Sequence, residues 1–229
     1  MLISAAFISS LLSVLIYRWV NPGLTLLMVN KHLESFKQGK ESKIRKDWVK
    51  FEKISASMVL AAISAEDNQF MEHWGFDFKS IKSAMKSNKK GRRIKGASTI
   101  TQQTAKNLCL WPKRSWIRKG FEVYFTLAIE VLWSKKRIIE VYLNIAEFGK
   151  GIYGVEIASQ KYFKKPAISL NKYQSSMLST VLPNPTKRNP VKPSSYMYRY
   201  QQRILRNMAN NKSVDFNDAI LKNGKKETK

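Results

Sequence analysis

SASMVLAAISAEDNQF, residues 55 to 70, sets Ala, Met, Leu and Ile at helical spacing and then breaks into an acidic pair, Glu66 and Asp67. The stretch predicts a mostly buried helix with Glu66 near its C-terminal end. A carboxylate on such a helix is partly desolvated, and desolvation raises its pKa toward the range in which a general base works. Asp67 points about 100 degrees further round, so the two face one reacting atom only if the helix ends there. The competing reading is that the pair caps the helix or pairs with a basic side chain. Glu72 and His73 follow closely, and a histidine in this setting reads as a packing or hydrogen-bonding residue.

Outward from this stretch the chain stays helical. Residues 78 to 87 predict a second helix, and NKKGRRIKG, residues 88 to 96, reads as a mobile basic loop with five Lys or Arg. ASTITQQTAKNL opens a third helix with Ser98 as its expected N-cap. On it Gln102 and Lys106 share a face, and Gln103 lies beside them. From Trp116 to Trp133 the apolar residues run all round, which predicts a core helix. SKKRIIEVYLN, YGVEIASQKYF, SLNKYQSSMLSTVL and YMYRYQQRILRNMAN give further helices, PNPTKRNPVKP is a proline-rich loop, and residues 212–229 form a polar tail. With no run of alternating strands and no internal repeat, the fold class is mainly α.

At 229 residues and 44% hydrophobic content the chain supports one sizeable core. Its 41 Lys and Arg against 16 Asp and Glu, a formal charge of +25, imply a polyanionic partner: nucleic acid, an anionic membrane surface or a phosphorylated substrate. The single Cys109 excludes an internal disulfide, and two histidines without paired cysteines give no zinc-ligand spacing. MLISAAFISSLLSVLIY carries no charge before Arg18, and as a helix it is roughly 26 Å long, near the minimum for a bilayer core. We expect residues 1–20 to be a transmembrane anchor, ahead of a cleaved signal peptide or a buried core helix as alternatives. Residues 21–52 then read as a basic juxtamembrane connector suited to anionic headgroups, and residues 53–211 as the functional domain. Sidedness stays open on charge alone.

A second carboxylate, Glu122, lies four residues after Arg118, the spacing of an ordinary helical ion pair. Its setting suggests more, because Arg114, Arg118 and Lys119 cluster there and Lys106 precedes them. Arg supplies a forked donor and Lys a point charge to a phosphate-bearing ligand. The alternative is a solvated charged face. SAMK at 83 to 86 and SNKK at 87 to 90 match S-x-x-K, but neither is followed by S-D-N or K-T-G, and both are read as chance matches.

AEDNQFMEHWGFD, KGASTITQQTAKNL, RKGFE and KKRIIEVYLNIAEFG, in that order, resemble the peptidoglycan glycosyltransferases of glycosyltransferase family 51, and YQQRILRNM is similar to a relaxed form of the family's fifth motif. The likeness runs from about residue 53 to 208 and is to the monofunctional form, without a transpeptidase domain. It implies a lysozyme-like helical lobe, a smaller membrane-facing jaw lobe and a cleft between them. It also implies polymerisation of lipid II by inverting transfer from an undecaprenyl-pyrophosphate donor to the acceptor's GlcNAc 4-hydroxyl. On this resemblance Glu66 is the base. Lys106, Arg114, Arg118 and Lys119 neutralise the diphosphate, and Glu122 orients them or holds a divalent cation, Mg or Mn. Ser98, Thr99, Gln102 and Gln103 bind sugar or phosphate, while Asp67, Phe70, His73 and Gly75 shape the cleft. The implied location is the bacterial plasma membrane, single-pass, with the catalytic domain on its outer face. The implied partners are lipid II, anionic lipids and other cell-wall synthesis or division proteins, with no nucleic acid. In the last motif no arginine immediately precedes Arg203, a departure from the family pattern.

Two rival functions follow from the same residues. A glycan hydrolase on a helical scaffold needs a protonated carboxylic acid for its leaving oxygen, and has no use for the cluster between Lys106 and Lys119. A nucleic-acid-binding protein would explain the charge but not the carboxylates or the STITQQ helix.

Overall fold

A computed structural model of the chain describes residues 2–39, 43–89, 96–113 and 115–211. Its helices, in chain order, are α1 (Leu2–Ile16), α2 (Leu26–Lys37), α3 (Ala56–Glu66), α4 (Phe78–Lys89), α5 (Ile100–Cys109), α6 (Trp116–Leu132), α7 (Lys135–Ile145), α8 (Val155–Phe163), α9 (Lys172–Ser179) and α10 (Ser195–Asn210). Short polar residues start most of them. The side chains of Thr25, Ser55, Ser115, Ser134, Asn171 and Ser194 each accept from a backbone amide in the first turn of the helix that follows. A small sheet of β1 (Arg45–Lys46), β2 (Glu147–Gly149) and β3 (Ile152–Tyr153) runs in the order β1-β3-β2. β1 is parallel to β3, pairing Arg45 with Ile152, and β2 is antiparallel to β3 with an irregular register between Glu147 and Gly149.

The core lies where α5 packs on α6 and α7, and α3 packs on α9 and α10. Met58, Ile63, Ile100, Ile129, Ile138 and Tyr142 are almost wholly removed from water there. α3 is buried on several sides, through Met58, Val59, Ala61, Ala62, Ile63 and Ser64. The mostly buried helix expected at residues 55 to 70 is therefore present, and its last residue is Glu66.

The N-terminal segment departs from the expectation of a transmembrane anchor over residues 1–20. α1 has 15 residues, about 22 Å against a bilayer core of about 30 Å, and among the described residues no helix is long and apolar enough to cross a membrane. α1 is instead docked on the body. Val14 is fully buried, the Ser10 hydroxyl meets the Tyr124 hydroxyl at 2.9 Å, and Trp133 Nε1 donates to the Val14 carbonyl at 2.8 Å. The Arg137 guanidinium donates to the carbonyls of Tyr17 and Val20, closing the helix's C-terminal end. Single-pass topology therefore has no support in the fold.

The segment read as a basic connector, residues 21–52, carries α2 and β1. The Lys46 ammonium donates to the carbonyls of Pro22 and Gly23, drawing the chain after α1 onto β1. α6 also differs from the core helix expected. Phe125, Ala128 and Ile129 face inward, but Trp116, Ile117 and Val131 are 92%, 71% and 72% exposed. With these apolar side chains left exposed, a pattern that reads as burial all round belongs to a helix with a second apolar surface. Of the basic loop expected at 88–96, residues 88 and 89 belong to α4 and residues 90–95 lie outside the described residues, as do Arg114 and the tail at 212–229.

Candidate active site

α3 stops at Glu66 because Asp67 leaves the helical conformation, at φ −158° and ψ 75°. That turn separates the two carboxylates. Glu66 is half-buried and accepts a hydrogen bond from Gln103 Nε2 at 2.8 Å. Asp67 is buried and meets His73 Nε2 at 2.8 Å through one oxygen. The other oxygen accepts from the backbone amide of Ile100, at the start of α5, at 3.0 Å. Asp67 and His73 thus fix the turn, and only Glu66 of the pair is turned to the site.

α5 is set by a capping box one residue later than expected. Thr99, not Ser98, is the N-cap: its hydroxyl accepts from the Gln102 amide, and Gln102 Oε1 accepts from the Thr99 amide at 3.0 Å. Thr99 Oγ1 also donates to the Gly75 carbonyl at 2.7 Å. Ser98 is exposed, and Gln102 is 5% exposed and committed to the cap. The residues of α5 that reach Glu66 are therefore Gln103, by hydrogen bond, and Lys106, by charge. Gly75 has φ +77°, and a Cβ there would sit 2.6 Å from Thr126 Cγ2 and 3.0 Å from Glu130 Cγ. Its close approach to α6 needs the absent side chain.

Behind the turn lies a buried network that the sequence reading missed. Thr101 Oγ1 donates to Glu130 Oε1 at 2.6 Å, and Lys135 Nζ donates to the same oxygen at 2.8 Å and to the His73 carbonyl at 2.7 Å. The Lys135 ammonium also stands over the Phe70 ring, 4.6 Å from its centre. Burial lowers the Lys135 pKa while Glu130 opposes the shift. Phe70 is fully buried, so Asp67, Phe70, His73 and Gly75 belong to one rigid support under Glu66.

The second cluster sits on α6. Glu122 is 3% exposed and is held by Lys119, and Arg118 Nη1 lies 3.6 Å from its other oxygen. Arg118 Nε is buried without a hydrogen-bond partner among the described residues, a donor set for an incoming acceptor. Lys106 lies between the clusters. Its charge is stabilised by both Glu122 and Glu66, while burial, and secondarily Arg118 and Lys31, lower its pKa. Glu66 is shifted the other way: burial raises its pKa, and the Gln103 hydrogen bond, Lys106 and Arg188 oppose the rise.

Tyr142, Arg188, Tyr200 and Lys31 are further neighbours that sequence reasoning did not single out. The Tyr142 hydroxyl points to Gln103 Oε1 at 3.5 Å, and Tyr200 donates to the carbonyl of Ala65 at 3.1 Å. Lys31 pairs with Glu147 at the edge of a cavity of about 440 Å³ lined by Met28, His32, Lys150, Tyr153 and Thr186. Their signal in sequence was slight, since each comes from an element distant in the chain.

Glu122 could offer a carboxylate oxygen to a cation, but Lys119 and Arg118 already surround it. Among the described residues no group of three His, Cys, Asp or Glu could hold a metal ion. The donor set therefore does not fit a metal held by the protein alone. Together the two clusters place a desolvated carboxylate at one end of the site and, at the other, a cationic group in which Arg118 Nε has no hydrogen-bond partner among the described residues.

A family profile described as Transglycosylase matches residues 30–209. Among curated relatives that carry the name biosynthetic peptidoglycan transglycosylase are those of three bacteria. That of Bdellovibrio bacteriovorus is 54% identical over 203 residues, covering 89% of this chain and 81% of the relative. That of Bacteroides thetaiotaomicron is 48% identical over 202 residues, 88% and 82% of the two chains. That of Pasteurella multocida is 50% identical over 197 residues, 86% and 80%.

Proposed function

Because the chain belongs to the monofunctional peptidoglycan transglycosylases of glycosyltransferase family 51 and is a peptidoglycan glycosyltransferase of cell-wall synthesis, we propose that it polymerises lipid II with Glu66 as the base. The observation that carries this reading is the pairing of Glu66, desolvated and held by Gln103, with the cationic cluster of Lys106, Arg118 and Lys119 around Glu122.

In the proposed step the acceptor's GlcNAc 4-hydroxyl loses its proton to Glu66 and its oxygen attacks the donor's anomeric carbon with inversion. The bond from that carbon to the phosphate oxygen breaks, and undecaprenyl pyrophosphate departs with the electron pair. Arg118, Lys119 and Lys106, with Arg114, take up the charge that develops on the leaving oxygen. Arg118 Nε is available to it as a buried donor. Gln103 fixes the Glu66 rotamer, while Ser98, Thr99 and Gln102 act through the start of α5. A divalent cation, if used, would draw its remaining ligands from the diphosphate, with Glu122 as its protein contact, and no step here depends on it.

The substrate is lipid-linked, so the enzyme works at a membrane surface. The outward apolar residues of α6 and α1, among them Trp116, Ile117, Val131, Phe7 and Ile8, supply a surface for it beside a body of charge +25. In this reading α1, α2 and the outer side of α6 form the membrane-facing jaw, α3, α5, α7, α9 and α10 form the lysozyme-like lobe, and both lie on the outer face of the plasma membrane. The test is polymerisation of labelled lipid II in detergent by the wild type and by Glu66→Gln, with products identified by muramidase digestion.

A further inference from the structure

The proline-rich loop PNPTKRNPVKP, residues 183 to 193, follows α9 and sets the Arg188 guanidinium against α10, whose Tyr200 reaches the end of α3. Arg188 is half-buried. Its guanidinium donates to the Thr180 carbonyl, and its backbone amide donates to the Asn184 carbonyl at 3.1 Å. The guanidinium also lies over two rings of α10, 5.1 Å from the centre of Tyr196 and 5.7 Å from that of Tyr200. Tyr200 is tied to the end of α3, because its hydroxyl donates to the carbonyl of Ala65, the residue before Glu66. Loop, α10 and base are thereby one packed unit.

The groups facing Glu66 come from four elements. α5 contributes Gln103 and Lys106, α7 contributes Tyr142, α10 contributes Tyr200 with Arg203 over its ring, and the loop contributes Arg188, while Asp67 follows in the chain. Two of these act on the carboxylate as cations, and they are not equivalent. Lys106 divides its charge between Glu66 and Glu122. Arg188 stands in none of the ion pairs seen among the described residues, and arginine keeps its charge at every working pH.

We propose that Arg188 is a positioning residue of the base: clamped by Tyr196, Tyr200 and the Thr180 carbonyl, it holds Glu66 as the carboxylate in the substrate-free enzyme. The inference rests on Glu66 being the base. Arg188 makes no contact with the reacting atoms in this role and acts through Glu66. Without it, desolvation of Glu66 is less opposed, so the carboxylate takes up its proton at a higher pH.

The experiment titrates Glu66 in the full chain labelled with 13C at the glutamate carboxyl, its resonance assigned by its loss in Glu66→Gln, beside the pH profile of lipid II polymerisation. In Arg188→Gln the titration midpoint and the acid limb of the profile both move up by about 0.5 to 1 pH unit, and the plateau rate falls less than about three-fold. Arg188→Lys restores the midpoint to within about 0.3 unit. Tyr196→Leu, which loosens the clamp and keeps the charge, gives a smaller shift in the same direction and serves if Arg188→Gln does not fold. An unmoved midpoint in these variants, or a rate loss equal at all pH that Arg188→Lys does not repair, overturns the proposal. A midpoint that shifts in an enzyme whose polymerisation survives Glu66→Gln upholds the coupling and removes the base reading.

Discussion

Glu66 owes its properties to where α3 ends. The helix brings the carboxylate into a half-buried position, burial raises its pKa, and Gln103 donates to the ionised form. A base works as the anion, so the rate rises with pH through this raised value, and the acid limb lies above the ordinary glutamate range of about 4.3. Gln103→Leu removes a hydrogen bond that favours the anion. It moves the acid limb further up and lowers kcat about ten-fold, while an unmoved limb would place Gln103 outside the site. The place of Glu66 at the end of a mostly buried helix was legible in sequence, because the apolar run stops at the acidic pair. The choice between Gln102 and Gln103 was not. It turns on the cap of α5, and Thr99 takes that place because its hydroxyl also reaches the Gly75 carbonyl, a contact across 24 residues that local pattern does not carry.

At the scale of elements, the turn from Asp67 to Gly75 is held between α5, α6 and α7 by buried polar groups. Lys135→Met leaves the Glu130 carboxylate buried with only Thr101 as donor and costs about 3 kcal/mol, read as a lower urea midpoint at unchanged m-value. Gly75→Ala combines a left-handed backbone with a clash against Thr126 and costs about 2 kcal/mol or more. A variant as stable as wild type would show that α6 can yield there. Helix identity was readable because caps and 3.6-residue spacing are local. Strands of two or three residues were not, since too few positions exist for an alternation to appear. α1 and α6 misled for a related reason: apolar residues register hydrophobicity, not which side is covered by protein. Trp133 and Arg137, which dock α1, lie more than a hundred residues away.

For the whole molecule, an apolar side and an excess of positive charge predict two separable contributions to membrane binding. On anionic vesicles, raising salt to about 0.5 M removes the electrostatic part, because the screening length falls well below 10 Å, and leaves the apolar part. Replacing Trp116, Ile117 and Val131 together by serine removes much of the salt-resistant binding without altering thermal unfolding, since these side chains are exposed in the fold. Binding unchanged by these replacements would assign the membrane contact to another surface. In the proposed function one carboxylate, Glu66, acts as the base of a synthetic reaction. The direct test is to give detergent-solubilised full chain labelled lipid II and separate the products before and after muramidase, for wild type and Glu66→Gln. Muramidase-sensitive polymer from wild type, reduced at least a hundred-fold in a Glu66→Gln protein with unchanged circular dichroism, is the predicted result. Polymer at near wild-type rate from Glu66→Gln, or cleavage of preformed glycan without polymerisation, would contradict it.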